Sequence, residues 1–85
     1  MLFVFDKAQI RSFWMKDMLF PLDFVWIKNF RIVQIDENIL PPENKYDQPV
    51  IITSREPVDW VLELNAGFVA GNSLKIGDRV VLNSP

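Results

Sequence analysis

Apolar residues along the chain alternate with polar ones or gather in short runs, and Pro, Asn and Asp interrupt them before a helical repeat can build. A period of two favours strands over helices. The pattern predicts strands near Leu2 to Phe5, Ile10 to Met15, Phe24 to Lys28, Arg31 to Glu37, Val50 to Thr53, Val58 to Leu64 and Arg79 to Leu82. Phe24-Val25-Trp26-Ile27 is apolar on both faces and reads as a central strand. Val58, Trp60, Leu62 and Leu64, alternating with Asp59 and Glu63, read as a strand with one solvated face. Asn29, between the third and fourth runs, suits the turn of a hairpin.

The clearest loop is Pro41-Pro42-Glu43-Asn44-Lys45, since proline donates no ladder hydrogen bond. One short helix is expected, from about Ala66 to Ser73, with Asn65 as its N-cap and two glycines weakening it. Lys75-Ile76-Gly77-Asp78 reads as a turn in which Gly77 takes a positive φ, ahead of the last strand. The fold class is therefore all-β with one short helix. It is expected as a compact β-sandwich or partly closed barrel formed by residues 1–85 as a single domain.

Composition narrows the chemistry. At 85 residues the chain sits near the lower limit for a core without staples, and its 49% hydrophobic and 13% aromatic content must supply the packing. It has neither cysteine nor histidine, which removes disulfides, thiolate zinc sites, Ser/His/Asp triads and Cys/His pairs. Nine Lys and Arg against eleven Asp and Glu give a net charge of -2, so no general attraction to nucleic acid or anionic lipid is expected. No apolar stretch approaches the roughly 20 residues of a membrane span, and Met1 to Phe5 lacks the basic start of an export signal. Localisation rests on that missing signal alone, which makes the chain as given read as cytoplasmic without fixing its compartment; no cofactor and no metal are expected.

Candidate chemistry gathers in Arg11-Ser12-Phe13-Trp14-Met15-Lys16 and the following Pro21-Leu22-Asp23, where two cations and a carboxylate sit among large apolar side chains. On an extended strand Arg11 and Lys16 face opposite ways, so convergence requires Lys16 to swing around the corner at Asp17. Asp23 would then pair with Arg11 or Lys16, as a structural ion pair or as part of a pocket. Arg11 offers a planar fork suited to carboxylate or phosphate. Trp26 and Trp60 read as core, and Met15 and Met18 as gap fillers, leaving Trp14 as the tryptophan to contact a ligand. Glu56, Asp59 and Glu63 read as a solvent-facing row, and Asp78 as a turn residue.

Met1-Leu2-Phe3-Val4-Phe5, Arg11 with Phe13-Trp14-Met15-Lys16, Pro21-Leu22-Asp23, the hairpin to Asn38, Val61-Leu62-Glu63-Leu64 with Ala66-Gly67, and Lys75-Ile76-Gly77-Asp78-Arg79-Val80 together resemble the domain of unknown function 192 family. The resemblance covers nearly the whole chain. It implies a small all-β fold of jelly-roll character, found in bacteria and archaea and often exported in bacteria, with no agreed enzymatic activity. Members of that family usually carry a further strand ahead of the position of Met1, and Asn38 stands before a Pro-containing loop placed to cover a pocket. A missing strand leaves an edge that invites pairing, so a homodimer or strand exchange is expected.

Three functions from different classes follow. The first, which the residues favour, is a non-catalytic module holding a small polar or anionic ligand near Arg11, Trp14, Lys16, Asp23 and Asn38. The second is an acid/base hydrolase or lyase acting on a sugar-like substrate through Asp23 or Glu37 with Lys16. The third is a protein-interaction or assembly domain in which the polar cluster is purely structural. Asp6, Asp36, Glu37 and Asn38 lack the spacing of a hard-cation loop.

Overall fold

The computed structural model describes residues 1–15, 18–44 and 47–82. Six strands and one helix follow in chain order: β1 (Leu2–Gln9), β2 (Ser12–Trp14), β3 (Leu22–Lys28), β4 (Arg31–Ile39), β5 (Ile51–Thr53), β6 (Val58–Asn65) and α1 (Phe68–Gly71). β1, β6, β3 and β4 form a four-stranded antiparallel sheet in that order, and β2 pairs with β5 in a second sheet. The smaller sheet lies across one face of the larger, and the two do not close into a barrel. Within the all-β class, the open sandwich is thus the form adopted.

Each face of the large sheet carries its own core. On one, Phe24 and Trp26 of β3, Val58 and Val61 of β6 and the half-buried Phe3 and Phe5 of β1 meet Met15, Ile52 and Phe13 from the small sheet and its continuation. Phe13 is the hub: its ring centroid lies 5.0 Å from Phe3, 6.0 Å from Phe24 and 5.8 Å from Trp26. Such tilted and edge-on pairs add to the area that the rings bury. On the other face Val25, Ile27 and Ile32 are covered by Val69 of α1, with Leu74 and Val80 of the C-terminal segment.

β3 is central, as its two-sided apolarity predicts, and the β3–β4 hairpin turns at Asn29 and Phe30, with φ of 49° and 64°. A two-residue loop with both φ positive matches the right-handed twist of its strands. Gly77 also takes a positive φ, 96°, inside the predicted turn.

Three expectations are corrected. β6 is not one-sided: it lies between β1 and β3, and Val58 and Val61 are buried on the aromatic face while Trp60, Leu62 and Leu64 pack on the other. The Glu56, Asp59 and Glu63 row dissolves with it. Glu56 is exposed, Asp59 is half-buried and accepts the Asn29 N–H at 3.4 Å, and Glu63 lies opposite Phe24. The strand expected at Arg79 to Leu82 is reduced to a bridge between Arg79 and Arg31, aided by the Val80 N–H donating to the Phe30 carbonyl at 2.7 Å.

Burial raises the pKa of the Glu63 carboxyl above its ordinary value of 4.5, against the pull of the nearby amino terminus. A carboxyl raised on folding favours the folded state in its neutral form, and that contribution is lost as pH rises through the folded pKa. Glu63→Gln, which is neutral at every pH, is therefore expected to melt higher than the wild type at pH 8, by a margin that shrinks toward pH 4. Thermal melts across that range check it; a margin independent of pH rejects the effect.

Candidate functional site

Asp23 begins the central strand and is fully buried, at 0% exposure. Its Oδ1 accepts the Asn38 N–H at 2.8 Å, and its Oδ2 accepts those of Gly67 at 3.1 Å and Val69 at 3.0 Å. Local backbone geometry aims each donor. The β3–β4 register shifts between Leu22 and Phe24, so Glu37 and Asn38 together oppose Asp23, and the bulge turns the Asn38 N–H inward. Asn38 tolerates the φ of 52° required there, and Gly67 takes 95° at the N-cap of α1. One carboxylate thus ties together β3, the β4 bulge and the first turn of the helix.

The predicted site residues accordingly separate. Asp23 and Asn38 come together, but through Asn38's backbone, and the Asn38 residue itself is exposed. Asp23 does not pair with Arg11: the ion pair among the described residues is that of Lys75 with Asp78, at 3.6 Å. Lys16 lies outside the described residues. Trp14, at the end of β2, is 56% exposed beside Ile51 of β5. Glu37 is exposed in the bulge, with Asp23 opposite but sealed by its three backbone donors.

Arg11 stands at the corner between β1 and β2. Its N–H donates to the Oγ of buried Ser54 at 2.9 Å, its Nη2 donates to the Lys7 carbonyl at 3.0 Å, and its guanidinium carbon sits 3.8 Å from the Phe5 ring centroid. A guanidinium lying over an aromatic face is held flat while its edge stays available for hydrogen bonds. Its Nε is buried and has no partner among the described residues. Around it opens a groove of about 480 Å³ lined by Phe3, Phe5, Ile10, Arg11, Ser12 and Phe13.

Sequence reasoning missed a second polar network. Gln34 is 4% exposed and donates through Nε2 to Asp36 Oδ2 at 2.9 Å and to the Thr53 carbonyl at 3.2 Å. Its Oε1 accepts the Arg55 N–H at 2.8 Å, while Trp26 Nε1 donates to the same Asp36 oxygen at 2.7 Å. Asp36, considered for a hard cation, thus anchors the buried tryptophan. The one available clue was a glutamine alternating with apolar residues in Ile32-Val33-Gln34-Ile35.

The model of the DUF192 family, described as Uncharacterized ACR, matches residues 1–82. A candidate transcription regulator from Sinorhizobium meliloti 1021 has a crystal structure similar to this chain at a TM-score of 0.81 and 43% identity, covering 93% of this chain and 58% of that one. A protein of unknown function from Novosphingobium aromaticivorans DSM 12444 is similar at a TM-score of 0.80 and 30% identity, over 93% of this chain and 54% of that one. The chain therefore spans little more than half the length of either. No curated protein matches it.

Replacing Asp23 by Asn puts an amide donor where two backbone N–H groups point or leaves one of the three donors orphaned. The expected loss is about 3 kcal/mol, a large part of a total on the order of 10 kcal/mol. Urea denaturation measures it, and a midpoint within error of the wild type would deny the carboxylate its tying role.

Proposed function

The chain belongs to the uncharacterised DUF192 family, and from that premise we propose that it is a non-catalytic interaction domain that pairs with an extended polypeptide segment along the free edge of β1. The observation that carries this reading is the groove of about 480 Å³ between β1 and β2, which borders an edge that no strand covers among the described residues.

The ladder identifies which part of that edge is open. Met1 and Glu63 exchange both backbone bonds, the Glu63 N–H donating at 2.8 Å and the Met1 nitrogen at 2.6 Å. Phe3, opposite Val61, occupies the next bonded position, so the N–H groups of Leu2 and Val4 point away from β6. Beyond Val4 the register shifts, and Asp6 and Lys7 follow, features that discourage edge pairing. The open stretch is thus Leu2 to Phe5, bordered by apolar rings and the Arg11 guanidinium. An incoming strand would gain main-chain bonds from the edge and specificity from the groove.

A second copy of the chain meets these needs: the outer side of its own Leu2 to Phe5 stretch is equally open among the described residues, and its Asp6 supplies a carboxylate of the sign that suits Arg11. The expected state is a dimer that dissociates on dilution. The same Arg11 fork keeps a second reading, capture of a small anionic ligand in the groove, which needs no edge pairing.

Val4→Pro removes an outward-pointing N–H without touching the bonds between β1 and β6. Sedimentation velocity over a micromolar concentration series is expected to show the wild type associating and Val4→Pro remaining monomeric with its circular dichroism unchanged. A wild type that stays monomeric throughout rejects pairing between copies. In that event, a melting temperature raised by small carboxylates in the wild type but not in Arg11→Ala would favour the second reading.

A further inference from the structure

The sheet register sets three cations side by side. Lys28 and Arg31 are direct partners across the β3–β4 hairpin, and Arg31 is in turn the bridge partner of Arg79. Directly opposed residues on antiparallel strands project to one face at spacings of about 5 Å, and like charges placed so oppose folding. Among the described residues none of the three joins an ion pair. Arg31 Nη1 donates to the Gly77 carbonyl at 3.1 Å, which fixes one arm of the guanidinium and leaves the rest of the fork without a hydrogen-bond partner among the described residues. Two acids border the row, Asp59 beside the hairpin turn and Asp78 beside Arg79, and each has a partner of its own. Asp59 accepts from the Asn29 N–H, and Asp78 holds the Lys75 ammonium at 3.6 Å and the Lys75 N–H at 3.0 Å.

Asp59, next in register to Lys28 after the Ile27–Trp60 pair, bounds the row at one end, and one carboxylate does not neutralise three cations. Packing does not call for the cations, since Arg31 and Arg79 are exposed and Lys28 only half-buried. We propose that Lys28, Arg31 and Arg79 form a binding row for a multivalent, phosphate-bearing anion. Two adjacent guanidinium groups match phosphate oxygens in paired hydrogen bonds, and the ammonium adds a point charge at the end of the row. Closely linked phosphates suit it better than a lone one, because each cation then meets its own charge and the repulsion among the three is relieved together. The row rests on observations independent of the β1 edge, and none of its residues lines that groove.

The test uses the full chain at constant ionic strength, with inorganic tripolyphosphate as probe against orthophosphate, followed by calorimetry and by the anion-induced rise in melting temperature. The wild type is expected to bind tripolyphosphate at least tenfold more tightly than orthophosphate. Arg31→Gln with Arg79→Gln should weaken tripolyphosphate at least tenfold and abolish the melting rise, whereas the charge-matched Lys7→Gln with Arg55→Gln should change affinity less than twofold. Lys28→Gln alone should weaken binding severalfold, which keeps the test decisive if the double variant fails to fold. Absence of tripolyphosphate binding to the wild type, or equal weakening in both double variants, overturns the site. Repeating the titration with adenosine diphosphate separates recognition of linked phosphates alone, at matched affinity, from recognition of a nucleotide, at higher affinity.

Discussion

The Asp23 carboxylate is the constraint on which the C-terminal half of the fold depends. It is buried with no cation beside it among the described residues, and it is made tolerable by three backbone N–H groups that would themselves be orphaned without it. The dependence runs both ways. The bulge at Glu37 and Asn38 is kept because it delivers one donor, and α1 is capped at Gly67 because that residue and Val69 deliver the others. A helix of four residues is far too short to persist by itself. Its Val69 nevertheless completes the core over Val25, Ile27 and Ile32, so a carboxylate on β3 indirectly closes one whole face of the sheet.

The opposite face is secured by a different device. Gln34 and Asp36 project from β4 toward the small sheet, satisfying the Trp26 indole, the Thr53 carbonyl and the Arg55 N–H at once. These bonds orient a two-stranded sheet that has three residues in each strand and could not hold its position by ladder bonds alone. Phe13 then packs among Phe3, Phe24 and Trp26, and buried Ser54 takes the Arg11 N–H. Through the Ser54 hydroxyl, the backbone of the β1–β2 corner is fixed to the segment that follows β5.

What was legible in the sequence is what depends on neighbours along the chain. Period-two runs gave the strands from β1 to β6, Asn29 the hairpin, and Gly77 its turn, because each rests on local backbone preference. The readings that failed depended on partners far along the chain. β6 looks one-sided until β1 and β3 flank it, and Arg79 to Leu82 has strand composition but only one short contact with β4. The expected N-cap at Asn65 gave way to Gly67 because the oxygen that receives the first helical donors belongs to Asp23, 44 and 46 residues away. The expected cluster of Arg11 with Asp23 failed likewise: closeness in sequence placed them together, whereas the fold gave each its own backbone partners.

The contrast between satisfied and unsatisfied groups separates architecture from interaction. Where this chain buries polar atoms for the fold, it saturates them, as at Asp23 and Gln34, and such sites specify structure. Three features depart from that economy: the outward N–H groups of Leu2 and Val4, the Arg11 Nε, which has no partner among the described residues, and the row of Lys28, Arg31 and Arg79. None lowers the energy of the isolated domain, and the cation row raises it. Under the proposed β1 pairing and anion binding, contact with other molecules would return stability to these sites. Asp23, by contrast, is fully buried and directs its carboxylate to three backbone donors, which places it with the scaffold.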